Sequence, residues 1–191
     1  MRTLCVVITA MIASVGAVHA KPWNVDIFMG TGVPDTLRWD GVGAQTDAGD
    51  VFGFAVSRDD VFGSHLEIGA ELSRAKAEYT NDRPSNISGT ALMATAKVNF
   101  VNNDGFSAYA GAGLGVVDVK YTNQALNYDN AEFEFAGQLT LGVRFAISPK
   151  TGLFVEGRYI RSKDAQVAYN PATRDADFRS KAIVLGVRKE F

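Results

Sequence analysis

The chain has 191 residues with 19 Lys and Arg, 21 Asp and Glu, and a single cysteine. The formal net charge of −2 argues against a nucleic-acid partner, and one cysteine excludes an internal disulfide. The length is enough for one domain, but a mean hydropathy close to zero fits both a soluble protein and a membrane barrel whose two faces average out. The order of residues along the chain must therefore decide the class.

A removable secretory signal is predicted at residues 1–20. Arg2 precedes an apolar run that ends at Val18-His19-Ala20, which has the small-x-small pattern of a cleavage site. The apolar run is shorter than the about 20 residues that a membrane-spanning helix requires. Cleavage here also removes Cys5, so the remaining domain, residues 21–191, carries no thiol chemistry.

Eight segments of this domain alternate between apolar and polar residues, the pattern of a strand with one apolar face. Each covers roughly ten residues, the length that a tilted strand needs to cross a bilayer. No helical segment remains to cover the apolar faces, so lipid is their natural cover. In chain order the predicted segments are Trp23 to Thr31, Gly49 to Ser57, Ser64 to Glu78, Gly89 to Phe100, Phe106 to Tyr121, Phe133 to Phe145, Gly152 to Arg161 and Ser180 to Phe191.

The connections between these segments alternate strictly, with four long ones and three short ones. In an up-and-down barrel this alternation places every long loop on one side and both chain termini on the other. The short connections carry turn residues such as those in Asn102-Asn103-Asp104-Gly105. The long polar connections run from Val33 to Ala48, Tyr79 to Ser88, Thr122 to Ala131 and Ser162 to Asp177.

Three motifs carry a resemblance to a known family. They are Tyr109-Ala110-Gly111-Ala112-Gly113-Leu114-Gly115, Gly142-Val143-Arg144-Phe145, and the ending in which Gly186 precedes the terminal Phe191 by five residues. With the predicted signal, residues 21–191 resemble the small eight-stranded outer-membrane β-barrels, a family that includes the transmembrane domain of outer membrane protein A, outer membrane protein X and the opacity proteins.

The resemblance implies an all-β fold, an eight-stranded antiparallel up-and-down transmembrane β-barrel in the bacterial outer membrane with both termini in the periplasm. Gly186 and Phe191 resemble the closing-strand signal that the barrel assembly machinery recognises, although Lys189 stands where that signal usually has an aromatic or large apolar residue. The implied partners are outer-membrane lipid, the assembly machinery and an extracellular or host partner bound by the loops. A monomer without cofactor or metal is expected.

The inward-facing parity carries charged residues of both signs. The interior of an eight-stranded barrel is only wide enough to be filled by side chains, and an unpaired charge there costs several kcal/mol. We expect a structural ionic plug, with a narrow ion pathway and a catalytic carboxylate pair as the alternatives. The predicted network consists of Asp26, Glu67, Glu71, Lys97, Glu134, Arg144, Glu156, Arg158 and Arg188.

Neighbouring segments supply opposite charges to this network, so pairs between adjacent strands are expected. The glycines Gly111, Gly113 and Gly115 share the inward parity and are expected to make room for larger side chains opposite them. The expected neighbours are Glu67 and Glu71 beside Lys97, Arg144 beside Glu156, Arg158 beside the eighth segment, and Arg188 across the barrel closure from Asp26.

For function, the leading hypothesis is a non-enzymatic surface protein with a structural or adhesive role through its four long loops. The alternative is a narrow porin for small solutes or ions, which would need continuous water past the charged interior. A lipid-modifying enzyme is the third hypothesis. It is disfavoured because barrel enzymes of that kind use lipid-facing His-x-Ser, whereas His65-Leu66-Glu67 is the context here and the parity of His65 predicts an inward position near a short turn. No catalytic, cofactor or metal site is predicted.

Overall fold

The computed structural model of the chain is a closed antiparallel β-barrel. The predicted signal peptide, residues 1–20, lies outside the described residues and stays a prediction. Within the described part of the chain, no helix is long and apolar enough to cross a membrane. The structure describes residues 22–35, 38–39, 42–43, 47–59, 61, 65–78, 85–103, 105–123, 128–162, 165–169, 172–176 and 178–191.

The described residues form twelve strands. In chain order they are β1 (Trp23–Asp35), β2 (Arg38–Trp39), β3 (Val42–Gly43), β4 (Gly49–Arg58), β5 (Leu66–Glu78), β6 (Ser85–Asn103), β7 (Phe106–Asn123), β8 (Tyr128–Ser148), β9 (Thr151–Ser162), β10 (Ala165–Tyr169), β11 (Ala172–Ala176) and β12 (Arg179–Glu190).

Eight of these strands close the barrel in the order β1-β12-β9-β8-β7-β6-β5-β4. Each barrel strand pairs with the barrel strands that come before and after it in the sequence, and β12 closes the barrel by pairing with β1. The eight predicted segments and the up-and-down topology are confirmed. The four remaining strands form two hairpins, β2 with β3 and β10 with β11, inside the first and last long connections.

Strands β6, β7 and β8 are longer than predicted, at 19, 18 and 21 residues. Their pairing continues to Ser85 with Asn123 and to Asn123 with Tyr128, past the end of the apolar outward face. The second and third long connections are therefore shorter than predicted, with residues 79–84 and 124–127 between strands. Backbone pairing does not need an apolar face, which is why the alternation failed to show these extensions.

The two ends of the barrel differ. The turn end carries the start of β1, the end of β12 and the connections at residues 59–65, 104–105 and 149–150, and the loop end carries those at 36–48, 79–84, 124–127 and 163–178. The predicted strict alternation of long and short connections is wrong, because the extended pairing of β6, β7 and β8 shortens two loop-end connections to fewer residues than the first turn-end one. At the turn end Gly105 has a φ of 84°, a left-handed conformation that favours glycine between β6 and β7. The backbone N–H of Phe191 donates to the carbonyl oxygen of Trp23 at 2.9 Å, so the last residue is fixed beside the first strand.

Outward-facing side chains are apolar over the middle of every barrel strand, as lipid contact requires. Phe135 and Leu114 are 81% and 76% exposed, whereas Glu156 and Val184 on the inward parity are fully buried. The predicted membrane-facing parity is confirmed. The exposed outward aromatics include Trp23, Phe100, Phe145 and Phe191 at the turn end and Phe133 toward the loop end, with Phe52, Phe54 and Phe135 between them. The side chains of Tyr79 and Tyr121 lie outside the described residues.

Candidate functional site

The candidate site is the lumen, because every strand directs alternate side chains into it. The inward residues of β9 show how the lining changes along the barrel: Phe154, Glu156 and Arg158 lie in the turn-end half, and Ile160 follows toward the loop end. Glycine provides the space that these side chains need. A Cβ atom built on Gly111 would lie 2.7 Å from Cγ of Lys97, so this glycine leaves room for the lysine.

The first group of charges lies at the turn end, where β1 meets β12. Asp26 and Arg188 are partners in the antiparallel register. The Arg188 guanidinium donates from Nε and Nη2 to the two carboxylate oxygens of Asp26, both at 2.7 Å. It also donates to both oxygens of Glu67 on β5, at 2.6 and 2.8 Å. One arginine thus joins β12 to both β1 and β5.

Arg144 belongs to this turn-end cluster. Its Nη2 donates to Glu67 at 3.3 Å, whereas the sequence placed Arg144 beside Glu156. The aromatic ring of Tyr109 lies between the two groups of charges, with the Arg144 guanidinium 5.0 Å and the Lys97 ammonium 5.2 Å from its centroid. The expected pair of Arg144 with Glu156 was wrong, because the long arginine side chain extends across the lumen to β5 rather than toward the neighbouring strand β9.

The second group of charges lies at mid-barrel. Lys97 donates to Glu156 at 2.9 Å, although its register partner on β5 is Glu67. Arg158 donates to Glu71 at 2.7 Å, and its Nε lies 2.5 Å from the other oxygen of Glu156. Arg158 lies beside β12 as expected, with Ala182 as its register partner, but its ion pairs are with Glu71 on β5 and Glu156 on its own strand.

Two neutral residues complete this mid-barrel cluster. The Gln138 side-chain amide donates to Glu71 at 3.3 Å. The Arg158 guanidinium also stacks on Phe28, 3.6 Å from the ring centroid. The barrel strands contribute to the turn-end and mid-barrel clusters four cations, Lys97, Arg144, Arg158 and Arg188, and four carboxylates, Asp26, Glu67, Glu71 and Glu156, whose formal charges cancel before Asp59, which lies outside the strands, is added.

Glu134 is also lumen-facing and buried, but it lies on the loop-end side of Ala136 and Gln138. Its membership of the network stays a prediction. The assembly-signal residues Gly186 and Phe191 lie at the turn-end part of β12 and just beyond it, and their role in assembly likewise stays a prediction. His65 differs from expectation, because it lies exposed at the turn end just before β5.

Asp59 joins the turn-end cluster although the sequence placed it only in a turn. It accepts a hydrogen bond from Asn24 at 2.8 Å and lies 3.7 Å from Arg188. Burial raises the pKa of Asp59 above its ordinary value, and the negative charge of Glu67 adds to the effect. Strand alternation carries no signal for this residue because it lies outside the strand.

A buried apolar group fills the loop-end half of the lumen. We call it the apolar layer, and the sequence analysis missed it. Beyond the bilayer the apolar side chains of a strand change from the outward to the inward face. On β7, Val117 and Val119 point inward and are buried, whereas Lys120 points outward and is exposed. This inversion was the available signal. The apolar layer consists of Ala77, Ile87, Ala91, Met93, Val117, Val119, Ala136 and Phe178, with Ile160 packed against them.

No group of three or more His, Cys, Asp or Glu side chains among the described residues is arranged to hold a metal ion. What the lumen shows is a set of mutual ion pairs beneath an apolar layer. The model for the outer membrane protein beta-barrel domain family matches residues 3–191. The chain belongs to this family. It is therefore an outer-membrane β-barrel of a bacterium.

Solved structures agree with this assignment at the level of the fold. Neisserial surface protein A is 15% identical, with a TM-score of 0.66 over 88% of this chain and 97% of that one. The attachment invasion locus protein Ail of Yersinia pestis, in complex with the heparin analogue sucrose octasulfate, is 12% identical, with a TM-score of 0.55 over 90% and 100%. OprG from Pseudomonas aeruginosa is 10% identical, with a TM-score of 0.52 over 91% and 97%. No curated protein matches the sequence significantly.

Proposed function

We propose that this outer-membrane barrel is a non-enzymatic surface protein, a closed membrane anchor whose loop end faces outward and binds an extracellular partner. The observation that carries the proposal is the filled lumen. Two clusters of paired charges and the buried side chains of Phe28, Phe154 and Val184 occupy its turn-end and middle parts, and the apolar layer with Glu134 lies in the loop-end half. A barrel filled in this way offers its outer surface and its loops to partners, not a passage.

The arrangement of the two ends supports this orientation. The turn end has the start of β1, the end of β12 and the two tightest connections, residues 104–105 and 149–150, as expected for the periplasmic side of such barrels. The loop end carries both small hairpins and the extensions of β6, β7 and β8. About 9 to 11 residues suffice for a strand to cross the bilayer, so these three strands continue well beyond it. They form a raised sheet on which a partner can bind.

Two structurally similar proteins have names that describe surface roles, Neisserial surface protein A and the attachment invasion locus protein, the latter with a heparin analogue bound. Their likeness to this chain extends to the fold alone. It supports a surface role for a barrel of this size, and the chemistry of the partner is left to experiment.

A narrow porin is the second candidate, and one observation favours it. Among the described residues, Glu71 Oε2, Gln138 Oε1, Thr140 Oγ1 and Arg144 Nε are buried without a hydrogen-bond partner in the protein. Buried polar atoms of this kind are usually satisfied by water. Water among the charges would be one part of a conducting path, but the apolar layer lies between it and the loop end.

Orientation and permeability can be tested together on the whole chain. Lys120→Cys at the loop end should react with a membrane-impermeant maleimide on intact cells, whereas Lys150→Cys at the turn end should react only after the outer membrane is permeabilised. Both side chains are exposed, so accessibility differs only by side. Liposomes containing the purified barrel should retain small sugars as protein-free liposomes do. Labelling of Lys150→Cys on intact cells, or rapid sugar release, would contradict the proposal.

A further inference from the structure

We propose that the barrier to water and ions in this barrel is the apolar layer, closed by Phe178, and that the charged clusters beneath it are hydrated from the turn end. The inference rests on the closed lumen of the proposed function and assigns the seal to one residue. It differs from a plug made of ion pairs, in which the charges themselves would block the passage.

The backbone of Phe178 is held in place at the loop end of the lumen. Its N–H donates to the Ser162 hydroxyl at 3.2 Å, and its carbonyl oxygen accepts from the Ser162 N–H at 2.8 Å. These two contacts join the start of β12 to the end of β9. They direct the Phe178 side chain inward, where only 4% of the residue remains exposed.

The ring of Phe178 occupies space that small residues leave open. A Cβ atom built on Gly89 would lie 2.7 Å from the ring Cζ, so the glycine leaves room for the ring against β6, and a side chain there would force the ring to shift. Beneath the ring is a cavity of about 20 Å³, lined by Val117, Ile160 and other residues with Arg158 among them. A single water needs about 10–15 Å³, so this cavity has room for about one water molecule.

The charged clusters have the opposite character. Their buried polar atoms without protein partners, on Glu71, Gln138, Thr140 and Arg144, call for water molecules that bridge them. Asp59, whose side chain is 36% exposed, connects the turn-end cluster to the solvent at that end. Water can therefore reach the turn-end cluster from that end, and the atoms without partners on Glu71, Gln138 and Thr140 mark further sites for water past the Tyr109 ring.

A narrow apolar constriction resists filling by water and strips an ion of its hydration without replacing it. The apolar layer has this composition apart from Glu134, which is the register partner of Val117, whereas the lining of the charged clusters is mostly ionic. Phe178 also ends the long connection that contains the β10–β11 hairpin, so the seal is part of the loop region that faces a partner.

Planar-bilayer recordings on three variants test the assignment. Phe178→Ala should produce openings at least about tenfold more often than the unmodified barrel, whereas Phe178→Leu should stay closed because an apolar side chain still fills the layer. Phe154→Ala is the matched control. Phe154 is also buried, at 2%, and also packs over a glycine, Gly186, but it lies on the turn-end side of the mid-barrel charges. This control should stay closed.

A silent Phe178→Ala barrel that migrates as folded protein on mild SDS gels would overturn the inference, as would equal opening of Phe154→Ala. Steady conductance in the unmodified protein would instead contradict the proposed function, so the two failures are distinct. If the Phe178→Ala variant does not fold, a second measurement that leaves Phe178 in place tests the same inference.

This second measurement places single cysteines in the lumen of the otherwise unmodified chain, with Cys5 replaced by serine. Thr140→Cys lies among the charges, and Val117→Cys lies in the apolar layer. A small charged methanethiosulfonate should modify Thr140→Cys at least about tenfold faster than Val117→Cys, since the apolar layer excludes water and ions. Equal rates at the two positions would overturn the inference.

Discussion

Arg188 and Asp26, 162 residues apart in the chain, form a two-pronged ion pair across the seam where the last barrel strand meets the first. The same guanidinium binds Glu67 on β5. The contact can form only when β12 has paired with β1, so it links closure of the barrel to neutralisation of three buried charges. An ion pair at this position favours the closed register over one slipped by one residue, which would turn Arg188 toward lipid.

The first prediction concerns this seam. Arg188→Leu leaves Asp26 and Glu67 buried without their shared cation and should lower the free energy of unfolding by about 3–5 kcal/mol. Urea unfolding in lipid vesicles, followed by heat-modifiable migration on mild SDS gels, measures the change. The adjacent Lys189→Gln is the control, because Lys189 is exposed and its change should stay within about 0.5 kcal/mol. Equal losses for the two variants would mean that the seam contact contributes little.

The second prediction concerns the two faces of β8. Leu141 faces lipid near mid-membrane, so Leu141→Arg should cost about 2–4 kcal/mol of unfolding free energy. Gln138→Arg introduces the same cation into the lumen beside Glu71 and should be tolerated better. The same unfolding assay compares the two. A larger loss for Gln138→Arg would reverse the assigned faces.

The third prediction uses two glycines of opposite surroundings. Gly89→Ala places a methyl group against the Phe178 ring and should cost about 1–3 kcal/mol through overpacking. Gly137→Ala is the matched change in open space, since nothing lies within 4 Å of its built Cβ. It should be neutral or stabilise by about 0.5–1 kcal/mol, because alanine restricts the unfolded chain more than glycine does. Similar losses at both positions would show that Phe178 does not occupy the site.

The fourth prediction is a pH dependence at the turn end. The pKa of Asp59 is raised in the folded protein, mainly by burial and then by Glu67, so the folded state holds its proton more tightly than the unfolded state does. The contribution of Asp59 to stability is therefore present below its ordinary value of 3.8 and is lost as pH rises through the raised folded value. Unfolding measured from acid to neutral pH should show Asp59→Asn gaining stability relative to the unmodified protein as pH rises. A constant difference would contradict the raised pKa.

The fold could be predicted because lipid imposes period-two alternation on every strand, and Phe133 to Phe145 shows it without interruption. The ion pairs could be predicted only in part. Neighbouring strands were expected to supply them, and Arg188 with Asp26 is such a pair. Lys97 and Arg144 instead contact carboxylates on strands that are not their neighbours, because their long side chains reach across the lumen. The alternation of residues along a strand does not predict which carboxylate across the lumen a long side chain will contact.

The apolar layer was missed for a different reason. Outside the bilayer, water replaces lipid as the surroundings, and the outward face becomes the polar one. Ile87 therefore points inward beside the outward Ser88, the reverse of the arrangement at Lys97 and Val98. The apolar face of a strand therefore changes sides where the strand leaves the bilayer, and a single alternating pattern does not predict the buried residues beyond that point. Phe178 lies before the start of β12 and belongs to no alternating segment at all.

The closed lumen is the central claim, and planar-bilayer recording of the unmodified barrel tests it most directly. Purified protein should be shown to be folded by its heat-modifiable migration and then inserted alongside a larger open barrel that reports successful insertion. Because side chains fill an eight-stranded lumen, we expect the current to stay at the level of the bare membrane apart from rare, brief events. A large, stable and ion-selective conductance from the unmodified protein would contradict the account.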